Sequence, residues 1–155
     1  MNELVFRNLS EDAKRQICAW KYGGEYDLYN LPAYEEMQVR QIGFMNPQRE
    51  KNYYGFWDES ILVGFVNILE EKEEVFIGIG VNPDLCNKHY GQRMLLITYE
   101  ISKKLYPNKP LYLEVRTWNI RAVKCYQKAG FRIDGQAYEL TTGIGTGTFY
   151  RMIRE

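Results

Sequence analysis

The sequence predicts a mixed α/β (α+β) fold, a largely antiparallel central sheet with helices on both faces. Three observations predict it. Apolar residues recur with period two through Tyr54, Phe56, Ile61, Val63, Phe65 and Leu69, the alternation of a half-buried hairpin. Two later stretches, one after Pro83 and one after Asn119, carry apolar residues at helical spacing between recognisable start and stop signals. In chain order the elements read β-α-α-β-β-β-α-β-α-β-β, a mixture that packs helices on a sheet. A chain of 155 residues buries a substantial core as one unit, so a single domain over 1–155 is expected.

Leu4 to Asn8 alternates apolar and polar residues as a strand. Ser10 is then a good N-cap, with Glu11 and Asp12 complementing the positive end of a helix that runs to about Trp20. Gly23-Gly24 breaks that pattern. Pro32 suits the start of a second helix from Ala33 to about Phe44, with Tyr34, Met37, Gln38 and Ile42 near helical spacing. The hairpin from Asn52 turns at Asp58-Glu59-Ser60 and ends near Leu69, where the acidic stretch Glu70 to Glu74 reads as a solvated turn. Val75 to Val81 is the next strand, and its Gly78 and Gly80 mark a bulge or the close approach of another backbone or a ligand. After Pro83 a polar loop leads into the stripe Met94, Leu95, Thr98, Ile101 and Leu105, closed by Lys103-Lys104 and Pro107. Leu111 to Val115 is a short strand, Asn119 caps a helix from Ile120 to Ala129, and Gly130 takes the left-handed position after it. Phe131 to about Leu140 and Phe149 to Ile153 read as closing strands around a Gly-rich loop, Thr141 to Thr148.

Composition narrows the function classes. Twenty basic residues balance twenty acidic ones without a long block of one sign, so no nucleic-acid footprint is expected. No apolar run approaches the roughly 20 residues of a membrane span, and the N-terminus lacks a secretory pattern, so a cytoplasmic protein is expected. Cys18, Cys86 and Cys125 are widely spaced and odd in number, which reads as free thiols rather than a disulfide framework or a metal site.

The segment Val81-Asn82-Pro83-Asp84-Leu85-Cys86-Asn87-Lys88-His89-Tyr90-Gly91-Gln92-Arg93 runs from strand through loop to helix. A helix N-terminus offers unpaired amides and partial positive charge, which together bind phosphate, and Lys88 and Arg93 add to that charge. The segment lacks GxxxxGK[ST] and GxGxxG, which disfavours a nucleotide site. A second segment, Asn119-Ile120-Arg121-Ala122-Val123-Lys124-Cys125-Tyr126-Gln127-Lys128-Ala129-Gly130-Phe131, follows at a set distance.

Together the two segments resemble the GNAT superfamily of N-acetyltransferases, from about Val63 to the C-terminus. The family patterns are Val-x-Pro-x-x-(Arg/Gln)-x-x-Gly-x-(Gly/Ala) and Asn-x-x-Ala-x-x-x-Tyr-x-Lys-x-Gly-Phe, and the second is complete here. In the first, Cys86 stands at the Arg/Gln position and His89 at the first Gly, with Gly91 as expected. A shifted register at Lys88-x-x-Gly91 needs a loop two residues longer and puts Arg93 at the small position.

The resemblance implies a GNAT-like acyl-CoA-binding fold using acetyl-CoA as acetyl donor. Backbone groups of Ile79, Gly80 and Val81 would pair with the pantetheine arm, and amides of Asn87, Lys88, His89, Tyr90, Gly91, Gln92 and Arg93 would hold the pyrophosphate. Asn119 would bond near the pantetheine, and Tyr126 would point at the thioester sulfur as the acid. The family often places a carboxylate early in the strand Val75 to Val81. Here Phe76 holds that position, and Glu74, two residues earlier on the same face, is the candidate base, acting directly or through water.

Trp20, Tyr22, Tyr26 and Tyr29, with Glu25 and Asp27 among them, suit a cationic acceptor amine. The resemblance implies an acceptor that is a primary amine of a small molecule or a protein N-terminus. Dimers are common in the family, and no sequence feature requires one. A non-catalytic acyl-CoA-binding module stays open because of Cys86, His89 and Phe76.

Overall fold

The computed structural model describes residues 3–155. They fall into two compact units, residues 3–67 with Ile79–Tyr90, and Ile68–Gly78 with Gly91–Glu155.

In the first unit β1 (Val5–Asn8) pairs antiparallel with β2 (Tyr53–Asp58), and β2 pairs antiparallel with β3 (Ile61–Glu70), whose last residues enter the second unit. The hairpin predicted from the period-two pattern is therefore present. Its register shifts at Phe56/Trp57, and Glu59 takes a positive φ of 55° in the tight turn. Helix α1 (Glu11–Ala19) begins at the predicted cap, where Ser10 Oγ accepts from the Ala13 amide at 3.1 Å. Ala13, Ile17 and Cys18 from α1 join Met37, Phe44, Trp57 and Leu62 in a buried cluster. Lys14 is also buried, its ammonium held by Glu11 (3.3 Å) and Glu50 (3.0 Å), which offsets the cost of taking the charge out of water.

Helix α2 is shorter than the predicted stretch from Ala33 to Phe44, spanning Tyr34–Arg40. Gln41 closes it in the left-handed conformation (φ 52°), after which a 3₁₀ turn, Gly43–Met45, brings Phe44 into the core. The helical spacing of Ile42 misled because a residue after a left-handed cap can still be apolar without being helical.

In the second unit β4 (Val75–Val81, its last residues in the first unit) pairs parallel with β5 (Leu111–Arg116). Strand β8 (Gly145–Arg154) pairs antiparallel with β5 along its length, and β6 (Arg132–Ile133) and β7 (Tyr138–Thr142) pair antiparallel with β8. Between β3 and β4 the acidic stretch turns as expected, with the Glu71 amide donating to the Glu74 carbonyl at 2.8 Å. Helices α3 (Tyr90–Leu105) and α4 (Ile120–Lys128) contribute Met94, Leu95 and Val123 to the buried set, with Leu111, Leu113, Val115 and Met152 from the strands.

Two expectations change here. The closing strand read from Phe131 to Leu140 is two strands, β6 and β7. The Gly-rich stretch from Thr141 to Thr148 is not a loop but the end of the β7–β8 hairpin, with Thr141 opposite Thr146. Their hydroxyls lie 2.9 Å apart, and β-branched threonine favours extended backbone, so glycine abundance hid a ladder. None of the three cysteines forms a disulfide. Among the described residues no helix is long and apolar enough to cross a membrane, and no group of His, Cys, Asp and Glu is placed to hold a metal ion.

Candidate functional site

The loop between β4 and α3 is fixed at its start by Asn82. Its amide donates to the Val63 carbonyl (2.8 Å), its side-chain nitrogen donates to the Leu62 carbonyl (3.1 Å), and its side-chain oxygen accepts from the Asp84 amide (3.0 Å). Cys86, at the position the family gives to Arg or Gln, turns its thiol toward the Asn82 carbonyl at 3.7 Å. Asn87 and His89 both take the left-handed conformation, with φ 65° and 67°. This accounts for His89 where the family has glycine: the backbone keeps the shape that glycine adopts freely. A histidine there costs about 1 kcal/mol. His89→Gly is therefore expected to raise stability by about 1 kcal/mol in a denaturant melt.

Asn87, Lys88 and His89 are exposed, and α3 starts directly after them at Tyr90. The first-turn amides of this 16-residue helix have no partners within the helix, so they and the helix dipole form an anion-binding end. The side chain of Tyr90 points elsewhere, its hydroxyl donating to Asp58 at 2.5 Å. Gly91 is buried, Gln92 and Arg93 are half-buried.

At the end of β4, Gly80 has a use within the protein itself. A Cβ there would lie 2.3 Å from Cε1 of Phe65, so the glycine makes room for a ring of the protein itself. The Tyr22 hydroxyl donates to the Val81 carbonyl at 2.7 Å, and the Trp20 ring lies 6.3 Å from that of Phe65. Two of the four aromatic candidates thus belong to the surroundings of β4's end. Tyr26 and Tyr29 lie half-buried in the 3₁₀ helix Gly24–Tyr29, beside exposed Glu25 and Asp27. Sequence reasoning passed over Phe44 and Tyr53, which pack with Phe65 at 6.2 and 6.4 Å. Burial pushes the Tyr53 hydroxyl above its usual pKa, keeping it neutral.

In the second unit β4 and β5 pair only at Val75–Leu111 and Phe76–Tyr112, whereas β5 pairs with β8 through Arg116. From Leu113 to Arg116 one edge of β5 has no strand partner among the described residues. A pantetheine arm, with its two amides, is the kind of group such an edge accepts as a pseudo-strand. Asn119 caps α4 through its side-chain oxygen, which accepts from the Ala122 amide at 3.2 Å, and it is buried. Tyr126 is half-buried on the last turns of α4, and its carbonyl accepts from the Ala129 and Phe131 amides (3.1 and 3.0 Å). These contacts fix the backbone that carries its ring.

Glu74 is held. Both its oxygens accept from Arg151, at 2.7 and 2.8 Å, and Arg151 also donates to Asp134 at 3.2 Å. The Glu74 hydrogen bonds raise the Arg151 pKa further above its usual range, so the guanidinium stays charged. A proton acceptor at Glu74 must use the lone pairs that Arg151 leaves. Around this pair Tyr112 donates to Glu71 and Tyr138 to Glu114, at 2.8 and 2.7 Å. Burial first, then those hydrogen bonds, push both tyrosines well above the usual range. This polar face was missed from sequence. Its signal was the alternation Tyr112-x-Glu114-x-Arg116 within β5, polar on every second residue.

Residues 10–131 match the Acetyltransferase (GNAT) family. No curated protein sequence matches the chain. Among solved structures, a chimera of the Vibrio cholerae spermidine N-acetyltransferase SpeG with hSSAT is similar at 19% identity and TM-score 0.77, covering 99% of this chain and 95% of that one. A GNAT-family acetyltransferase from Bacillus anthracis has 17% identity and TM-score 0.79, covering 98% and 94%. The Vibrio cholerae spermidine N-acetyltransferase in complex with CoA and spermine has 18% identity and TM-score 0.76, covering 97% and 94%.

Proposed function

The chain belongs to the GNAT family of acetyltransferases, and on that premise we propose that it moves acetyl from acetyl-CoA to a primary amine of a small molecule or a protein N-terminus. Acetyl-CoA supplies the activated acetyl thioester; the chain supplies binding, orientation and proton management. The observation that carries the reading is the loop in which Asn87 and His89 hold left-handed backbone immediately before the first turn of α3. That arrangement supports pyrophosphate binding by amides of residues 87–93 despite the histidine. In the second unit, the open edge of β5 and the buried Asn119 support binding of a pantetheine arm. The neighbour captured with CoA and spermine supports an amine acceptor in a protein of this fold.

Proton accounting assigns the side-chain roles. The attacking amine must be neutral, and the departing thiolate leaves more easily when protonated. Tyr126 is the acid. A backbone amide near Val81 is the donor to the developing oxyanion. For an alkyl amine of pKa about 10.4, losing its proton at pH 7 costs roughly 4–5 kcal/mol, against about 1–1.5 for an α-amine near pKa 8. Glu74 is the candidate base, with its ion pair to Arg151 opening or passing the proton through water. Glu74→Gln is then expected to lower kcat/KM for an alkyl amine at pH 7 more than for an α-amine. An unchanged pH profile for both removes Glu74 from the proton path.

The reading is tested by following CoA thiol release with a panel of primary amines, beside calorimetry of acetyl-CoA. Tight binding without thiol release for any amine would support an acyl-CoA-binding module instead.

A further inference from the structure

Arg116 ends β5 as a buried charge. The residue is only 8% exposed, yet no carboxylate among the described residues pairs with it. Its contact is the Phe149 ring, opposite it in β8, with the guanidinium carbon 4.7 Å from the ring centroid. Acids of the second unit are engaged elsewhere: Glu114 accepts from Tyr138, and Glu74 and Asp134 accept from Arg151. A buried charge left this way is costly unless something pairs with it.

Two details say that the partner arrives from outside. The buried side-chain atoms without hydrogen bonds among the described residues are Asn67 Oδ1, Thr98 Oγ1 and Ser102 Oγ. The Arg116 nitrogens are not in that sealed set, so they keep a path to solvent. Gly147 lies two residues before Phe149 on the same face of β8, and a Cβ there would come within 2.0 Å of Nη1 and 3.1 Å of Cζ. The strand is bare where any side chain would displace the guanidinium.

The carbonyl of Arg116 accepts from the Asn119 amide at 2.9 Å, so the arginine sits one turn of chain before the residue proposed to contact pantetheine. We infer that Arg116 is a recognition site for a carboxylate carried by the acceptor, making the acceptor an amine that also bears a carboxylate, as an amino acid does. The planar guanidinium fork matches two carboxylate oxygens, which an ammonium cannot do. The inference rests on the acetyl-transfer reading and deepens it.

Matched pairs that differ only by a carboxylate test it: lysine against cadaverine, ornithine against putrescine, and glycine against methylamine. Each is measured by equilibrium binding to the acetyl-CoA-loaded protein and by thiol release. The expected result is at least tenfold tighter binding of the carboxylate-bearing member in at least one pair. That preference should be lost in Arg116→Met and partly kept in Arg116→Lys, with acetyl-CoA affinity unchanged in both. Equal binding within every pair of the native protein overturns the inference, whatever the variants do. So does a preference that persists in folded Arg116→Met, or a tenfold loss of acetyl-CoA affinity in that variant, which would make a CoA phosphate the anion. The expected binding preference without thiol release leaves the carboxylate site standing and sinks the transfer reading.

Discussion

Replacing Tyr126 with phenylalanine is expected to lower kcat about 100-fold while acetyl-CoA affinity changes less than about threefold. A positioned general acid contributes about 10²–10⁴ in rate, and the lower figure suits a leaving thiol that departs partly on its own at neutral pH. The hydroxyl is the only group removed. Half-burial of the residue and the backbone bonds from Ala129 and Phe131 keep the ring in place, so the variant isolates proton transfer from folding. Stopped-flow thiol release at saturating acetyl-CoA and acceptor checks this, with the chemical step shown to be rate-limiting. An unchanged kcat under those conditions would remove Tyr126 as the acid.

Gly91→Glu should weaken acetyl-CoA binding by at least tenfold. Gly91 is buried in the first turn of α3, where the helix end favours an anion. A glutamate adds bulk against the helix and brings its own negative charge to the place proposed for pyrophosphate. Calorimetry gives the affinity, and circular dichroism separates lost binding from lost folding. Gly91→Ala serves as the small-residue control, since the family pattern admits alanine there. Unaltered affinity in folded Gly91→Glu would displace the pyrophosphate from this turn.

How much of this was legible before the structure depends on what kind of signal each part carries. The α1 cap at Ser10, the α4 cap at Asn119 and strand Val75–Val81 were readable because caps and period-two runs are local. The β7–β8 hairpin was not, since glycine and threonine speak for turn and strand at once and only the ladder between β7 and β8 decides between them. At the site, His89 departs from the family pattern in its letter and takes left-handed backbone, which only φ reveals. Gly80 marked a bulge or a close approach, and only the structure shows that the Phe65 ring of the neighbouring hairpin strand packs against it. The ion pair of Glu74 with Arg151 joins residues far apart in sequence, so no local pattern announces it. Arg116 was the hardest to see, because an arginine in a strand reads as solvent-facing until its burial is known.

The measurement closest to the central claim follows acetyl-labelled acetyl-CoA with a panel of primary amines and asks where the label goes. Label appearing in an amide product in equal amount to the CoA released is the predicted result. Label that stays on CoA, or that appears only as free acetate, would contradict it.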